Sequence, residues 1–262
     1  MDLGLTDRAC VVTGGSSGIG LQVGRRLAAE GARVLLVGRG PDALRAAAEA
    51  CGEGAGWLAA DVTDPGAAER IVAACTERFG RLDVLVNGAS ASSVTAIEDL
   101  SDADWQAAWE INVMAPMRLM RAALPVMTAA GWGRVVNVSS SSGKRPGQRN
   151  VAYSVAKAAE LSLSRAYADA YAARGVLINA VTPGPVASEL WLKPGGLADQ
   201  TAQARGISRE QVLEDAAAAL PLGRLAEAGE VAAVIVFLCS QAASTVAGAA
   251  WSADGGAVPV II

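Results

Sequence analysis

Histidine is absent from all 262 residues of the chain. That removes the side chain whose ordinary pKa lies closest to neutrality, so any proton transfer must fall to another group. It also removes half of the usual zinc-binding set. The four cysteines, Cys10, Cys51, Cys75 and Cys239, form no C-x-x-C pair, and no metal site is expected. Isolated in apolar surroundings, they read as reduced, buried thiols of a cytoplasmic protein. Charged residues make up only 18 % of the chain, with a net charge of −4 and no Lys/Arg run, which argues against a nucleic-acid partner. The longest apolar run, Val231 to Cys239, is too short to cross a bilayer. The opening "MDLGLTDRACVVTGG" has no basic region followed by a long apolar stretch, so no signal peptide is expected.

What is present is an alternation. Short β-branched runs, beginning with "ACVVT" (Ala9 to Thr13) and "RVLLV" (Arg33 to Val37), alternate with alanine-rich stretches of helical period such as "AAERIVAACTERF". "GWLAAD", "LDVLVNGA", "GRVVNVSS", "GVLINAVT" and "VAGAAWSADGG" bring the expected strands to seven. They are nearly continuous apolar runs, as strands covered on both faces must be. The pattern predicts one α/β domain over residues 1–262: a doubly wound, mainly parallel seven-stranded sheet with helices on both faces. Long helices are expected over Asn112 to Ala130 and Tyr153 to Ala173. After the sixth strand about forty residues read as strand-free, with short helices over Leu197 to Ala204 and Arg209 to Ala219. This segment, about 185–220, is expected to be a helical lid, because it leaves a strand's carboxyl end.

"TGGSSGIG" (Thr13 to Gly20) follows the first strand and opens the first helix. Glycines there let a pyrophosphate approach the backbone, and the helix start offers unpaired N–H groups. Gly14, Ser16, Ser17, Gly18, Ile19 and Gly20 are therefore the expected phosphate-side contacts of a dinucleotide. The spacing is G-x-x-x-G-x-G; a plain tight turn is the competing reading. At the end of the second strand "LLVGRG" puts Gly38 where NAD-binding folds often carry an acid, and Arg39 follows. An arginine pairs with a 2′-phosphate that an acid would repel. The expected cofactor is NADP(H), with NAD(H) as the alternative.

"TGGSSGIG", "NVSSSSG", "YSVAK", "VTPG" and "ADGG", in this order, resemble the short-chain dehydrogenase/reductase family. The resemblance covers essentially the whole chain and is closest to 3-oxoacyl-carrier-protein-reductase-like members. It implies a Rossmann-type fold and a reaction that moves hydride between nicotinamide and a carbonyl or secondary alcohol. It implies catalytic roles for Asn112, Ser140, Tyr153 and Lys157. Cofactor contacts are implied for Asp61, Val62, Asn87, Ala89, Pro183, Gly184, Val186 and Ser188, and again for Tyr153 and Lys157. "NGAS" stands where the family usually has N-N-A-G, Ser188 where threonine is usual, and "ADGG" for V-D-G-G. Many members are tetramers, so a homotetramer is implied.

Tyr153 and Lys157, four residues apart, share a helix face. A free tyrosine ionises near pH ~10, and a nearby ammonium favours phenolate. Lowering that value by about three units takes roughly 4 kcal/mol of preferential stabilisation. Tyr153 would then donate its proton to the developing alkoxide while Ser140 holds the oxygen. By resemblance Lys157 also holds the ribose and Asn112 orders a relay water. Singly, each residue has a bland reading, as an amphipathic pair, loop serine or cap; the set together favours catalysis.

The expected substrate is a hydrophobic or acyl-linked ketone. Leu190, Trp191, Leu192 and Leu197 of the lid would either roof its pocket or pack on the body. Lys144, Arg145 and Arg149, before Tyr153, would either receive an anionic group or stay solvated. Two other functions fit parts of the pattern. One is a catalytically silent dinucleotide sensor or scaffold, which the intact four-residue set argues against. The other is a sugar-nucleotide epimerase or dehydratase, which usually shows T-G-x-x-G-x-x-G and a further C-terminal region.

Overall fold

Alternation along the strands sorts the core into two halves. In β1 (Ala9–Thr13), Cys10 and Val12 join one apolar cluster while Ala9 and Val11 join the other. The same holds for Val34 and Leu36 against Leu35 and Val37 in β2 (Arg33–Gly38). A strand that feeds both faces must be covered on both faces, and helices do this. The computed structural model describes residues 2–259.

The chain runs β1, α1 (Gly18–Ala29), β2, α2 (Pro41–Cys51), β3 (Ala55–Ala59), α3 (Ala67–Phe79), β4 (Val84–Asn87) and α4 (Asp102–Trp109). It continues through α5 (Ala115–Ala129), β5 (Gly133–Val138), α6 (Val151–Tyr171), β6 (Val176–Pro183), β7 (Val186–Ala187) and α7 (Glu189–Leu192). Then follow α8 (Leu197–Arg205), α9 (Arg209–Ala218), β8 (Ala226–Glu227), α10 (Ala228–Leu238) and β9 (Ala250–Ala253). Seven strands form one sheet in the order β3-β2-β1-β4-β5-β6-β9, and every pairing is parallel. Val23 and Leu27 of α1, Leu44 of α2 and Ile235 of α10 fill one face. Ile71 of α3, Leu119 and Leu124 of α5 and Ala168 of α6 fill the other. The order reverses between β1 and β4, which are neighbours, and such a reversal opens a crevice at the strands' carboxyl ends.

Two segments depart from the sequence expectation. The helix expected over Asn112 to Ala130 begins as a π-helical turn, Glu110–Met114. The Asn112 side-chain amide donates to the Ala108 carbonyl at 2.9 Å, the carbonyl its own backbone N–H would take in an α-helix. The stretch read as strand-free contains β7, which pairs in parallel with β8. Two residues are too few for a periodic signal, so only the contact with Ala226–Glu227 reveals them. The same stretch holds α7, a single helical turn not expected from sequence; α8 and α9 fall where short helices are expected.

Candidate active site

The glycine loop is tight for steric reasons. Gly14 (φ +67°) and Gly18 (φ +52°) are left-handed, a region glycine enters without strain. A Cβ at Gly14 would lie 2.7 Å from the Gly88 carbonyl, and one at Gly88 would lie 2.7 Å from the Thr13 carbonyl. The loops after β1 and β4 therefore touch backbone to backbone. Thr13 Oγ1 accepts from the N–H groups of Gly88 and Ala89 at 3.1 and 3.2 Å. This is the packing reason for glycine in "NGAS". Thr13 was not singled out from sequence as a clamp; only the fold brings the two loops together.

The start of α1 is open to an anion. Ser17, its N-cap, makes no side-chain cap, and the first turn carries no acid. The N–H groups there are unpaired by side chains, and the helix dipole adds partial positive charge. Ser16 Oγ lies 3.6 Å from where a Cβ of Gly38 would stand, so the end of β2 borders the glycine loop. Arg39 follows, exposed. Asp61 accepts from the Thr63 hydroxyl at 2.7 Å and from its N–H at 3.0 Å. These bonds, with Arg39 adding a smaller Coulomb effect, hold the Asp61 carboxyl below the usual range. Val62 is buried in the core, so its side chain serves packing first. Ile19 packs against the α1-side core. At the crevice's far side Gly184 packs on Asp254, where a Cβ would meet the Asp254 carbonyl at 2.7 Å. Asp254 takes N–H bonds from Gly256 and Val258, so the "ADGG" turn backs Pro183 and Gly184. Val186 is buried in β7. Ser188 faces Gly18, whose Cβ would lie 3.6 Å from that of Ser188. One cavity is lined by Gly18, Ala187, Ser188, Leu192 and Glu227.

A second cavity, of about 220 Å³, holds Tyr153. Leu100, Ala107, Ala108 and Ile111 give it apolar walls; Ser92, Ser93 and Thr95 add hydroxyls, and Arg149 and Asp104 are its charged lining residues. None of Leu190, Trp191, Leu192 and Leu197 lines it. Segment 185–220 reaches its rim through polar contacts instead. Gln200 Oε1 accepts from the Val94 N–H at 3.1 Å, and Arg149 donates to the Ala204 carbonyl at 3.2 Å. Lys144 turns away, donating to the Ala250 carbonyl at 2.7 Å, and Arg145 is exposed. Gln200 carries no sequence signal, since an isolated glutamine on a short helix has no distinguishing neighbour.

Asn112 sits beside this cavity. Its Oδ1 accepts from Ser90 Oγ at 2.6 Å and its Nδ2 donates to the Ala91 carbonyl at 3.2 Å, so the side chain is committed to the loop after β4. Ser140 lies just past the end of β5, where it caps a short helical turn, Ser141–Gly143, and accepts from the Ser142 N–H at 3.0 Å. The turn it starts lies on α6: a Cβ at Gly143 would stand 2.9 Å from the Lys157 carbonyl. Asn87 is buried and donates to Asn137 Oδ1 at 2.7 Å; Ala89 packs against the α5-side core.

Lys157 departs from a simple pairing with Tyr153. Its ammonium lies 5.8 Å from the Tyr153 ring centroid. It donates to the Val138 carbonyl at 2.8 Å and to Glu160 Oε2 at 2.9 Å. Both side chains are 1 % exposed. Glu160 was not singled out from sequence, although it carried a signal. It falls with Ala152, Ala156, Ser164 and Ala168 on the buried face of α6, where a carboxylate needs a partner.

The chain is similar to known proteins along its whole length. A family model described as enoyl-(acyl carrier protein) reductase matches residues 14–258. D-beta-hydroxybutyrate dehydrogenase of Cupriavidus necator is 36 % identical over 260 residues, covering 96 % of this chain and 98 % of that protein. Cis-4-hydroxycyclohexanecarboxylate dehydrogenase of Sinomonas cyclohexanicum is 38 % identical over 253 residues, covering 95 % and 96 %. The crystal structure of L-sorbose reductase from Gluconobacter frateurii, complexed with NADPH and L-sorbose, superposes with a TM-score of 0.92 at 33 % identity and covers both chains completely.

Proposed function

The chain belongs to the short-chain dehydrogenase/reductase family, and from that premise we propose that it interconverts a ketone and a secondary alcohol with NADP(H), on a hydrophobic or acyl-linked substrate. The coarser statement, an oxidoreductase acting on hydroxyl or carbonyl groups, follows from its relatives. The observation that carries the finer reading is the position of Tyr153, in the wall of a largely apolar cavity.

The residues fit the cofactor. The uncapped, acid-free start of α1 suits a pyrophosphate. Arg39, exposed and next in the chain after Gly38 at the end of β2, suits a 2′-phosphate, and the L-sorbose reductase structure was solved with NADPH. When bound, the nicotinamide supplies or accepts the hydride. The other steps belong to the protein. Ser140 donates a hydrogen bond to the substrate oxygen, and Tyr153 gives that oxygen its proton in reduction or takes it in oxidation. The ammonium of Lys157 lends positive charge below the tyrosine. Apolar walls from Leu100 and Ile111 exclude water and accept a compact hydrocarbon body. Arg149 is the cationic group available to an acidic substituent, such as the carboxylates in the names of two relatives. Segment 185–220 acts as the substrate lid through Gln200 and Ala204.

The test is NADPH consumption, with NADH in parallel, against a 3-oxoacyl thioester, a cyclic ketone, a cyclic keto acid, a short 3-oxo acid and a keto sugar. Turnover of the apolar or acyl-linked compounds with NADPH supports the reading. Turnover confined to the keto sugar overturns the substrate class, and turnover with none favours a silent dinucleotide-binding protein.

A further inference from the structure

A carboxylate inside a protein core is rarely left with half its acceptor capacity unused. Glu160 is such a case. It is fully buried, its Oε2 accepts from Lys157 at 2.9 Å, and its Oε1 has no hydrogen-bond partner among the described residues. The expected catalytic set of Asn112, Ser140, Tyr153 and Lys157 does not include it.

We propose that Glu160 is a positioning residue, the counter-ion of Lys157, and that its carboxylate sets the pH at which Tyr153 ionises. The inference rests on the reading of Tyr153 as the acid–base group. The geometry gives the mechanism. An ammonium beside a phenol favours phenolate, and a carboxylate bonded to that ammonium offsets its field. Glu160 also fixes where the charge stands. With the Val138 carbonyl it takes two of the ammonium's three N–H donors and leaves one for the site side. Tyr153, Lys157 and Glu160 thus form a charge chain along one helix, in which the carboxylate moderates what the lysine alone would do. Burial pushes the Glu160 carboxyl above its usual range, and the Lys157 ammonium offsets part of that.

The other charged groups around this chain are already engaged or distant. From α4, Asp104 is held by Ser101. From the loop before α6, Arg149 reaches the Ala204 carbonyl, while Lys144 turns to Ala250 and Ser252. Glu110 of the π-helical turn pairs with Arg118 of α5. Arg134 of β5 lies at the strand's other end, bonded to the Ser240 carbonyl. β6 offers no charged side chain. Against Glu160 itself stands the Lys157 ammonium; the Ser139 hydroxyl nearby donates to the Lys157 carbonyl at 3.0 Å and lowers the Glu160 carboxyl only as the smallest of its influences.

The experiment is a spectrophotometric titration of tyrosinate on the full chain, comparing the native protein with Glu160→Gln. Each is corrected by its Tyr153→Phe counterpart, which removes the signals of Tyr167 and Tyr171. Glutamine keeps the size and an acceptor for Lys157 and removes the charge. The Tyr153 midpoint should move to lower pH by about half a unit or more, and the pH profile of alcohol oxidation should move the same way. If Glu160→Gln does not fold, Glu160→Asp carries the test: its shorter arm draws the carboxylate back and gives a smaller shift in the same direction. A midpoint that is unmoved or higher in the folded variant overturns the proposal. The titration needs no turnover, so its failure is distinguishable from failure of the proposed function.

Discussion

Two carboxylates lie buried against the same sheet, and they are solvated by the protein in opposite ways. Asp83, just before β4 at the sheet's amino end, is saturated. It accepts from Arg8 at 3.0 Å, from Arg81 twice at 2.6 Å and from the Ala9 N–H at 2.9 Å. Glu160, under the carboxyl end, has one ammonium and an empty oxygen. A fully bonded buried charge holds strands in place and has little left to give. A half-bonded one stores electrostatic free energy that a reaction beside it can use. The amino end of the sheet thus holds a saturated buried charge, and the carboxyl end, where the proposed chemistry lies, a half-bonded one. Loops show the same division: the glycine loop, the loop after β4 and the Ser140 turn all gather at the carboxyl end.

The comparison predicts a double dissociation. Tyr153→Phe should lower turnover by about 10²- to 10⁴-fold while leaving the unfolding midpoint and NADPH binding unchanged; the latter is read by quenching of tryptophan fluorescence. Retained turnover would move the chemistry away from this cavity. Asp83→Asn should do the reverse. Breaking a buried pair costs several kcal/mol, reduced here to about 2–4 because Arg8 and Arg81 reach water. Urea denaturation would read that loss, and kcat of the folded variant should be unaltered. Arg39→Ala tests the cofactor side of the carboxyl end. It should raise KM for NADPH about tenfold, worth about 1.4 kcal/mol, and leave KM for NADH unchanged.

The smallest effect belongs to a pair outside both regions. Arg224 bonds Glu230 and holds its carboxyl down to about 2. A depressed folded value adds stability above the ordinary unfolded pKa near ~4.3, and that stability is lost as pH falls through about 2. Both partners are half exposed, so salt screens the pair. Glu230→Gln should lower Tm slightly at neutral pH, the difference vanishing in acid or high salt. A difference as large as that of Asp83→Asn would show that burial is not what separates the two ends.

Much of the fold was legible because its signals are local. Seven apolar runs, the glycine spacing and the helical periods each depend on neighbours in sequence, so the parallel sheet and the loop before α1 follow from reading along the chain. Tyr153 and Lys157 fall on α6 as the helical reading places them, whereas Ser140, read as the end of the fifth strand, lies beyond β5, which stops at Val138. The two-residue strand β7 was hidden because its reason for existing is Ala226–Glu227, forty residues on. The π-helical turn was hidden because a side chain, Asn112, displaces a backbone bond. Leu190, Trp191, Leu192 and Leu197 had two roles open to them, roofing the cavity or packing on the body, and none of them lines it; hydrophobicity does not say which way a short helix is turned, and Gln200 and Arg149 make the contacts instead.

The sequence by itself determined the class of fold, the order of elements and the residue types available for proton and charge transfer, because periodicity, glycine spacing and the lack of histidine are properties of the chain. Tertiary structure alone decided where the charges balance. Lys157 looks like a partner for Tyr153 when read along α6, four residues apart. In the folded molecule it is shared with the Val138 carbonyl and with Glu160, because burial forces an ammonium to find every acceptor within reach.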